Sequence, residues 1–256
     1  MKIAIGGKGG AGKTTLAALL AISFRDDGYR VIAVDANPDA NLASTLGYPN
    51  PEGITPLVEM KGLIAERTGA TPGERGGYFK LNPKVDDIPD RFVALHRGIR
   101  ILVMGTVKGP AAGCLCPENA FLRELTAHLV LQRSEVLIMD MEAGIEHLGR
   151  GTAGHMDALF VVVEPSRQSL ESAARIVPLA RDLGIPRVLG VINKMERKED
   201  LEFVKQGLPG LPIAGAVPFS RTVRSASVGK AEIEDAAREL KQEIGNLRRA
   251  LEKDTP

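Results

Sequence analysis

The sequence predicts an α/β fold in which a mostly parallel, twisted sheet carries helices on both faces. Short apolar runs alternate with stretches of helical periodicity along the 256 residues, as a parallel sheet requires. The first run, Ile3 to Ile5, leads into a glycine-rich loop and then into a helical pattern. Hydrophobic residues make up 44% of the chain and charged residues 25%, so one globular domain over residues 1–256 is expected.

The predicted elements follow from the period of the apolar residues. Strands are expected at Lys2–Gly6, Arg30–Asp35, Ile99–Met104, Glu135–Met141, Asp157–Glu164, Pro186–Asn193 and Pro212–Val217. Helices are expected at Lys13–Asp27 (ended by Gly28), Pro56–Thr68, Glu118–Leu131, Arg167–Leu183, Glu199–Lys205 and Lys230–Leu251. Residues 69–97 are rich in Gly, Pro and charge, which indicates loops with a short strand near Tyr78–Leu81.

Composition argues against several classes of function. The net charge of +1 gives no strong field toward nucleic acid or anionic lipid. Trp is absent and aromatic residues make up 4%, which leaves few platforms for stacking bases. No apolar run is long enough to span a membrane, and no signal peptide precedes the first strand. We therefore expect a cytoplasmic protein without a nucleic-acid or membrane partner.

The loop after the first strand has the pattern G-x-x-x-x-G-K-T, in a strand–loop–helix context. Glycines let backbone N–H groups turn toward phosphate oxygens, and the helix adds its positive dipole end. The lysine can reach the β- and γ-phosphates, and the threonine hydroxyl can bind Mg²⁺. The residues expected to hold ATP or ADP here are Gly7, Lys8, Gly9, Gly10, Ala11, Gly12, Lys13, Thr14 and Thr15.

Two acids end predicted strands, where the ligand edge of a parallel sheet lies. Asp140 closes an apolar strand, as a Walker B acid does, and Asp35 closes the second strand. We expect both to contribute to catalysis and, with Thr14, to hold Mg²⁺ directly or through water.

Lys8 adds a second lysine near the start of the loop, and the resulting G-K-G-G-x-G-K-T-T resembles the deviant Walker A motif. This family includes the nitrogenase iron protein, partition and division-site ATPases, and ATPases of metal-cluster assembly. The resemblance implies a P-loop NTPase that forms a homodimer upon binding nucleotide, in which Lys8 reaches the partner's nucleotide.

Four further stretches are similar to the CooC-type nickel-insertion ATPases that mature carbon monoxide dehydrogenase or acetyl-CoA synthase. They are D-A-N-P-D-A-N-L at 35–42, I-T-P-L-V-E-M-K at 54–61, C-L-C at 114–116 and M-D-M-E-A-G-I-E-H-L-G-R-G-T at 139–152. The resemblance implies a nickel metallochaperone whose client is one of these enzymes.

Cys114 and Cys116 are the two cysteines of the chain. Two thiolates leave a tetrahedral or square-planar ion half satisfied, and a second subunit would complete four ligands. Soft sulfur ligands accept Ni²⁺ and Zn²⁺. We therefore expect a metal site shared across a homodimer whose formation depends on nucleotide and metal.

Asn37 departs from the pattern of the family, which commonly has Asp at this position to orient or activate the attacking water. An amide lacks the charge and proton affinity of a carboxylate. Three interpretations stay open: hydrolysis is slow, Asp39 or Asp35 takes part in it, or the residue was engineered. Asn37 is still expected to line the nucleotide site.

For the adenine base, the resemblance implies Asn193 as the amide that reads it and Pro218 and Phe219 as backbone contacts. Two other classes of function stay open. One is an electron-transfer ATPase with an iron–sulfur cluster, like the nitrogenase iron protein, although its cysteines are spaced far apart. The other is a positioning ATPase of the ParA/MinD kind.

Overall fold

A computed structural model describes residues 1–70, 78–105, 116–132, 134–142 and 153–252. Within these residues one sheet contains eight strands in the order β3-β4-β2-β5-β1-β6-β7-β8. They are β1 (Lys2–Gly7), β2 (Val31–Ala36), β3 (Ala94–His96), β4 (Ile99–Val103), β5 (Val136–Met141), β6 (Ala158–Val163), β7 (Val188–Met195) and β8 (Ile213–Pro218). Neighbouring strands run parallel except β3 with β4, so the predicted, mostly parallel sheet is confirmed.

Helices cover both faces of the sheet, as predicted. They are α1 (Lys13–Asp26), α2 (Leu42–Thr45), α3 (Lys61–Thr68), α4 (Ile88–Arg91), α5 (Pro117–Gln132), α6 (Arg167–Asp182), α7 (Lys198–Gly207), α8 (Arg221–Ser227), α9 (Ile233–Glu239) and α10 (Lys241–Glu252). One core lies under α1, α9 and α10, and the other lies under α3, α5 and α6. Every residue of β2, β5 and β6 is buried, because parallel strands need cover on both sides.

Strand order reverses around β1, which lies between β5 and β6. The chain leaves β1 toward β2 on one side and later returns through β5 to β6 on the other. Ligands of open α/β sheets bind at the carboxyl ends of the strands at such a point. The loop between β1 and α1 therefore lies where the fold itself favours a ligand.

The predicted end of α1 at Gly28 is confirmed and has a defined geometry. Gly28 has φ +84°, and its N–H donates to Arg25 O at 2.8 Å. The N–H of Tyr29 donates to Phe24 O at 3.1 Å, and the two rings meet edge to face at 5.6 Å between centroids. These are the two bonds and the apolar contact of a Schellman motif.

Two local predictions are wrong within residues 56–97. Tyr78–Leu81 is not a strand; instead the short antiparallel strand β3 lies at the sheet edge, paired with β4. The helix predicted over Pro56–Thr68 is a 3₁₀ turn at Leu57–Glu59 followed by α3. Three residues are too few for a periodic signal, so β3 depends on its partner strand.

The single helix predicted over Lys230–Leu251 is also wrong, because the chain forms α9 and α10 with a break at Leu240. Leu240 has φ −97° and ψ +18°. Its N–H still bonds Ala236 O, and its O accepts from Ile244 N at 3.0 Å, so the second helix begins at once. Both helices bury their apolar residues in the same core, which explains why one stripe runs through the break. Over the described ranges, no helix is long and apolar enough to cross a membrane.

Candidate nucleotide and metal site

The glycine loop lies between β1 and α1, as predicted. Gly7 ends the strand, Gly12 precedes the helix with φ +94°, and Thr14 and Thr15 lie in its first turn. The loop closes on itself, because Ala11 N donates to Lys8 O at 3.1 Å. The structure therefore brings the nine predicted phosphate-binding residues into one strand–loop–helix unit.

Glycine is required at two of these positions. Gly7 has φ +143°, and a Cβ there would lie 2.5 Å from the backbone oxygen of Val162 on the neighbouring β6. At Gly12 a Cβ would lie 2.2 Å from Asn193 Nδ2. The first glycine thus permits β1 to pass close to β6, and the second permits Asn193 to reach the loop.

Lys13 is 9% exposed, and its Nζ lies 3.3 Å from Lys8 O. Burial lowers the pKa of Lys13, while the negative charges of Asp140 and Glu142 act in the opposite direction. A buried ammonium group at the start of a helix, with backbone oxygen as its bonded acceptor, favours a nearby anion. Lys8 is half-buried at the start of the same loop.

Asp35 and Asp140 are direct partners in the ladder of β2 and β5, so the two acids lie next to each other at one edge of the sheet. Both are fully buried. Side chains alternate along each strand, and the neighbours two residues before each acid, Ala33 and Ile138, belong to the core under α1. Both carboxylates therefore lie on the α1 side of the sheet, where the glycine loop enters its helix.

Asp140 has one bonded and one unbonded oxygen. Its Oδ2 accepts from Thr14 Oγ1 at 2.7 Å and from Asn37 Nδ2 at 2.8 Å, whereas Oδ1 is buried and has no hydrogen-bond partner among the described residues. Burial raises the pKa of Asp140 to about 7, and the Asp35 carboxylate acts in the same direction. The bond from Thr14 and the charge of Lys13 lower it in part. The positive charge of Lys13 is too little to balance the two buried acids, and Asp140 has a carboxylate oxygen to offer.

The oxygens of Thr14 and Asp140 fit Mg²⁺. A hydroxyl and a carboxylate with an unbonded oxygen are hard oxygen ligands, and these two lie side by side near Lys13. A divalent cation there would also relieve the repulsion between the two buried acids.

Asp35 has a different set of partners. Its Oδ1 accepts from the backbone N–H and the amide of Asn37 at 3.0 and 3.1 Å, and its Oδ2 accepts from Leu42 N at 2.8 Å. Burial raises the pKa of Asp35, and these hydrogen bonds lower it in part. Asp35 thus fixes the turn after β2 and the start of α2. Its role in binding Mg²⁺ or in hydrolysis stays a prediction.

Asn37 bridges the two acids. Its Nδ2 lies 3.1 Å from Asp35 Oδ1, 2.8 Å from Asp140 Oδ2 and 3.2 Å from Asp140 O. A neutral amide can donate to both carboxylates, which a carboxylate in its place could not do. Asp39, the other acid proposed for hydrolysis, is exposed two residues further along the same loop.

The residues expected at the adenine lie at the ends of β7 and β8. Asn193 donates from Nδ2 to Ala11 O at 2.7 Å, so its amide contacts the glycine loop in this structure. Pro218 ends β8, and Phe219, which is 40% exposed, donates its N–H to Met195 O at 2.9 Å. Their contact with a base stays a prediction.

Sequence reasoning missed the part played by Lys194 and Glu164. Lys194 Nζ donates to Gly10 O at 2.7 Å and pairs with the Glu164 carboxylate. Lys194 also has φ +57°, which is uncommon for a residue other than glycine. The sequence predicts a strand that ends at Asn193, but no sequence signal revealed this contact.

The predicted thiolate site is only partly within the described residues. Cys116 is half-buried and directly precedes α5, where its O accepts from Ala120 N at 3.0 Å. Cys114 and the stretch 143–152 after Asp140 lie outside the described residues. The loop that carries the cysteines begins beside Asp35, because the N–H groups of Met104 and Gly105 donate to Asp35 O at 2.8 and 3.3 Å.

Comparison with known proteins agrees with this geometry. Residues 2–233 match the model of the CobQ/CobB/MinD/ParA nucleotide binding domain. The chain belongs to this family. It is 46% identical to the carbon monoxide dehydrogenase accessory protein CooC of Rhodospirillum rubrum over 228 residues, which is 88% of this chain and 86% of that protein.

Two further similarities extend across the chain. An uncharacterized ATP-binding protein of Methanocaldococcus jannaschii is 46% identical over 234 residues, covering 90% of each chain. The fold is that of the MinD protein of Pyrococcus horikoshii complexed with Mg-ADP, with a TM-score of 0.68, 18% identity, and coverage of 98% of this chain and 95% of that one. The predicted P-loop fold is therefore confirmed.

Proposed function

We propose that this chain is an ATPase that dimerises with nucleotide, binds nickel through Cys114 and Cys116 of two subunits, and assists its insertion into a carbon monoxide dehydrogenase or acetyl-CoA synthase. The observation that carries the proposal is the 46% identity to a carbon monoxide dehydrogenase accessory protein over 88% of the chain. The identical residues extend well beyond the glycine loop, so the similarity supports more than a shared nucleotide site.

The nucleotide part is supported by the chemistry at the carboxyl edge of the sheet. The loop supplies backbone N–H groups, and Lys13 supplies a buried positive charge to the β- and γ-phosphates. Thr14 and Asp140 would hold Mg²⁺, with Asp35 acting through water or by its charge, because both Asp35 oxygens already accept hydrogen bonds. When bound, Mg²⁺ would neutralise charge on the phosphates.

In this proposal Asn37 positions the two acids and does not accept a proton from water. Its amide holds Asp35 and Asp140 together and has no basic atom for the attacking water. Lys8, on the same loop, is the residue proposed to reach the nucleotide of the second subunit. Together these assignments describe an enzyme whose hydrolysis is slow and whose ATP-bound state is long-lived.

The metal part is supported by where the cysteine loop begins and ends. It begins at β4 beside the Asp35 backbone and ends at the first turn of α5, so it leaves the same sheet edge as the acids. The positive end of a helix dipole is a favourable place for a negatively charged ligand set. Nickel, the cargo, would therefore lie on the side of the molecule where nucleotide closes the dimer.

The test combines metal analysis with mass measurement in solution. The wild-type protein is expected to bind one Ni²⁺ per dimer and to dimerise with ATP and Ni²⁺. Substitution of both cysteines by serine should abolish nickel binding and leave Mg-ATP binding intact, whereas Lys13→Met should abolish Mg-ATP binding and the ATP-driven dimer while its thiols stay intact. The second variant is the matched control, because it removes nucleotide contacts without touching sulfur.

Four results would contradict the proposal. The protein could remain a monomer under all conditions, or the double cysteine variant could bind nickel with unchanged stoichiometry. A brown, anaerobically purified protein with broad visible absorption would instead indicate an iron–sulfur cluster and an electron-transfer ATPase. Nucleotide-dependent sedimentation with DNA or lipid vesicles would indicate a positioning ATPase.

A further inference from the structure

A pair of consecutive residues at the end of β7 holds two consecutive carbonyls of the glycine loop. Asn193 donates to Ala11 O at 2.7 Å, and Lys194 donates to Gly10 O at the same distance. On a regular strand, neighbouring side chains point to opposite faces and could not both reach one loop. A local irregularity must therefore turn one of them.

That irregularity is a bulge in β7. Ile192 pairs with Ala216 and Met195 pairs with Pro218, so three steps along β7 match two along β8. Inside the bulge Lys194 adopts φ +57°. Bulges commonly re-aim a side chain beside a functional site, and a left-handed residue other than glycine stores strain that such sites retain.

The lysine is fixed from a second side by Glu164, which directly follows β6, the strand paired with β7. Glu164 is itself held at the start of α6, because its N–H donates to Ser169 Oγ at 3.0 Å and its O accepts from Ser166 N at 2.7 Å. Lys194 is 45% exposed, so without these partners its flexible stem would have many rotamers. The ion pair therefore limits the ammonium group to the position beside Gly10 O.

These contacts decide which way the loop's peptide groups face. In a trans peptide the C=O and the following N–H point in opposite directions. The bond to Gly10 O holds the peptide whose N–H, on Ala11, closes the loop onto Lys8 O. The bond to Ala11 O directs the N–H of Gly12 away from β7. Both carbonyls are therefore bound toward β7.

We propose that Lys194, held by Glu164, is a positioning residue of the nucleotide site that keeps the Gly10 carbonyl away from the phosphates. This inference rests on the proposed nucleotide binding and adds a residue to it. Without the bond from Lys194, the Gly10–Ala11 peptide keeps the bond from Ala11 N to Lys8 O but loses its anchor at β7, and a carbonyl oxygen that turned inward would repel phosphate oxygen.

The test measures Mg-ADP affinity by calorimetry and ATP hydrolysis by steady-state kinetics. Lys194→Met is expected to weaken Mg-ADP binding roughly tenfold, the effect of losing one charge-assisted hydrogen bond, with KM raised and kcat nearly unchanged. Lys194→Arg should recover most of the affinity, because a guanidinium group can donate to both the carbonyl and the carboxylate. Lys205→Met, on α7, is the matched control: that lysine is 50% exposed and carries the same charge.

Lys194→Gly separates positioning from folding. Glycine adopts φ +57° without strain, so this variant should unfold at a temperature no lower than that of Lys194→Met and still bind Mg-ADP weakly. The inference is overturned if Lys194→Met binds Mg-ADP as well as wild type, if Lys205→Met is equally impaired, or if Lys194→Arg recovers nothing. A wild-type protein that binds no Mg-ADP would instead overturn the proposed function.

Discussion

The amide of Asn37 lies between two buried carboxylates, and replacing it with aspartate tests what that bridge contributes. Asn37→Asp removes the donor that lies 3.1 Å from Asp35 Oδ1 and 2.8 Å from Asp140 Oδ2. It also adds a third carboxyl group at the same place. Asn37→Ala removes the donor without adding charge, so the difference in stability between the two variants isolates the effect of the added charge.

The magnitude follows from these contacts. A hydrogen bond to a charged group contributes about 1.5–3 kcal/mol. Asn37 is half-buried, so water replaces part of what Asn37→Ala loses, and we expect a loss of about 2 kcal/mol for that variant. Two unit charges about 4 Å apart repel by about 4 kcal/mol at an effective dielectric constant near 20, and proton uptake relieves part of this. Asn37→Asp should therefore be less stable than Asn37→Ala by about 2 kcal/mol.

The assay is urea unfolding of the nucleotide-free protein at neutral pH, with and without Mg²⁺. Midpoints should fall in the order wild type, Asn37→Ala, Asn37→Asp, with unchanged slopes. Millimolar Mg²⁺ should stabilise Asn37→Asp more than the other two, because a cation that binds only the folded state adds stability by linkage. If Asn37→Asp is as stable as Asn37→Ala without cation, the added carboxyl group is not repelled by the two buried acids, and the reasoning fails.

Two further predictions concern strain and charge elsewhere. Gly7→Ala should lower the free energy of unfolding by at least about 2 kcal/mol and impair nucleotide binding, because the new Cβ would meet Val162 O at 2.5 Å. Gly9→Ala is the control: no atom lies within 4 Å of the added Cβ, so stability should be unchanged. Equal losses of stability in the two variants would contradict this prediction. Asp87 accepts two bonds from Arg67 at 2.8 Å, which hold the pKa of that carboxyl well below its usual range. The contribution of this ion pair to the free energy of unfolding is therefore present above about pH 4, and it is lost as the pH falls below the pKa of Asp87 in the folded state. Asp87→Asn should therefore lower stability by about 1 kcal/mol at pH 7 and by nothing measurable in strong acid, and a pH-independent loss would count against the ion pair.

The sequence is most informative where a pattern is local. The glycine loop, the end of α1 at Gly28 and the acids near the ends of β2 and β5 are each set by a few neighbouring residues, and the structure has them as predicted. The structure adds that Asp35 and Asp140 are adjacent, because β2 and β5 are neighbours in the sheet.

Features that depend on distant residues could not be predicted in this way. The strand β3 has three residues and exists through its pairing with β4. The break at Leu240 leaves the apolar stripe unchanged, so periodicity alone continues the helix. The bulge that turns Lys194 toward Gly10 is defined by the pairing of β7 with β8, and the run I-N-K carries no sign of it.

The register of β2 against β5 has a consequence for how this protein can change in evolution. Asp35 and Asp140 face the same layer because they are matched residue for residue in the ladder. Insertion of one residue within either strand would turn one carboxylate to the opposite layer of the sheet, under α5 instead of α1. Insertions in the connections between the strands leave the match intact. Length variation among relatives that keep this chemistry should therefore be confined to loops and helices, and the two strands should keep a fixed spacing to their acids.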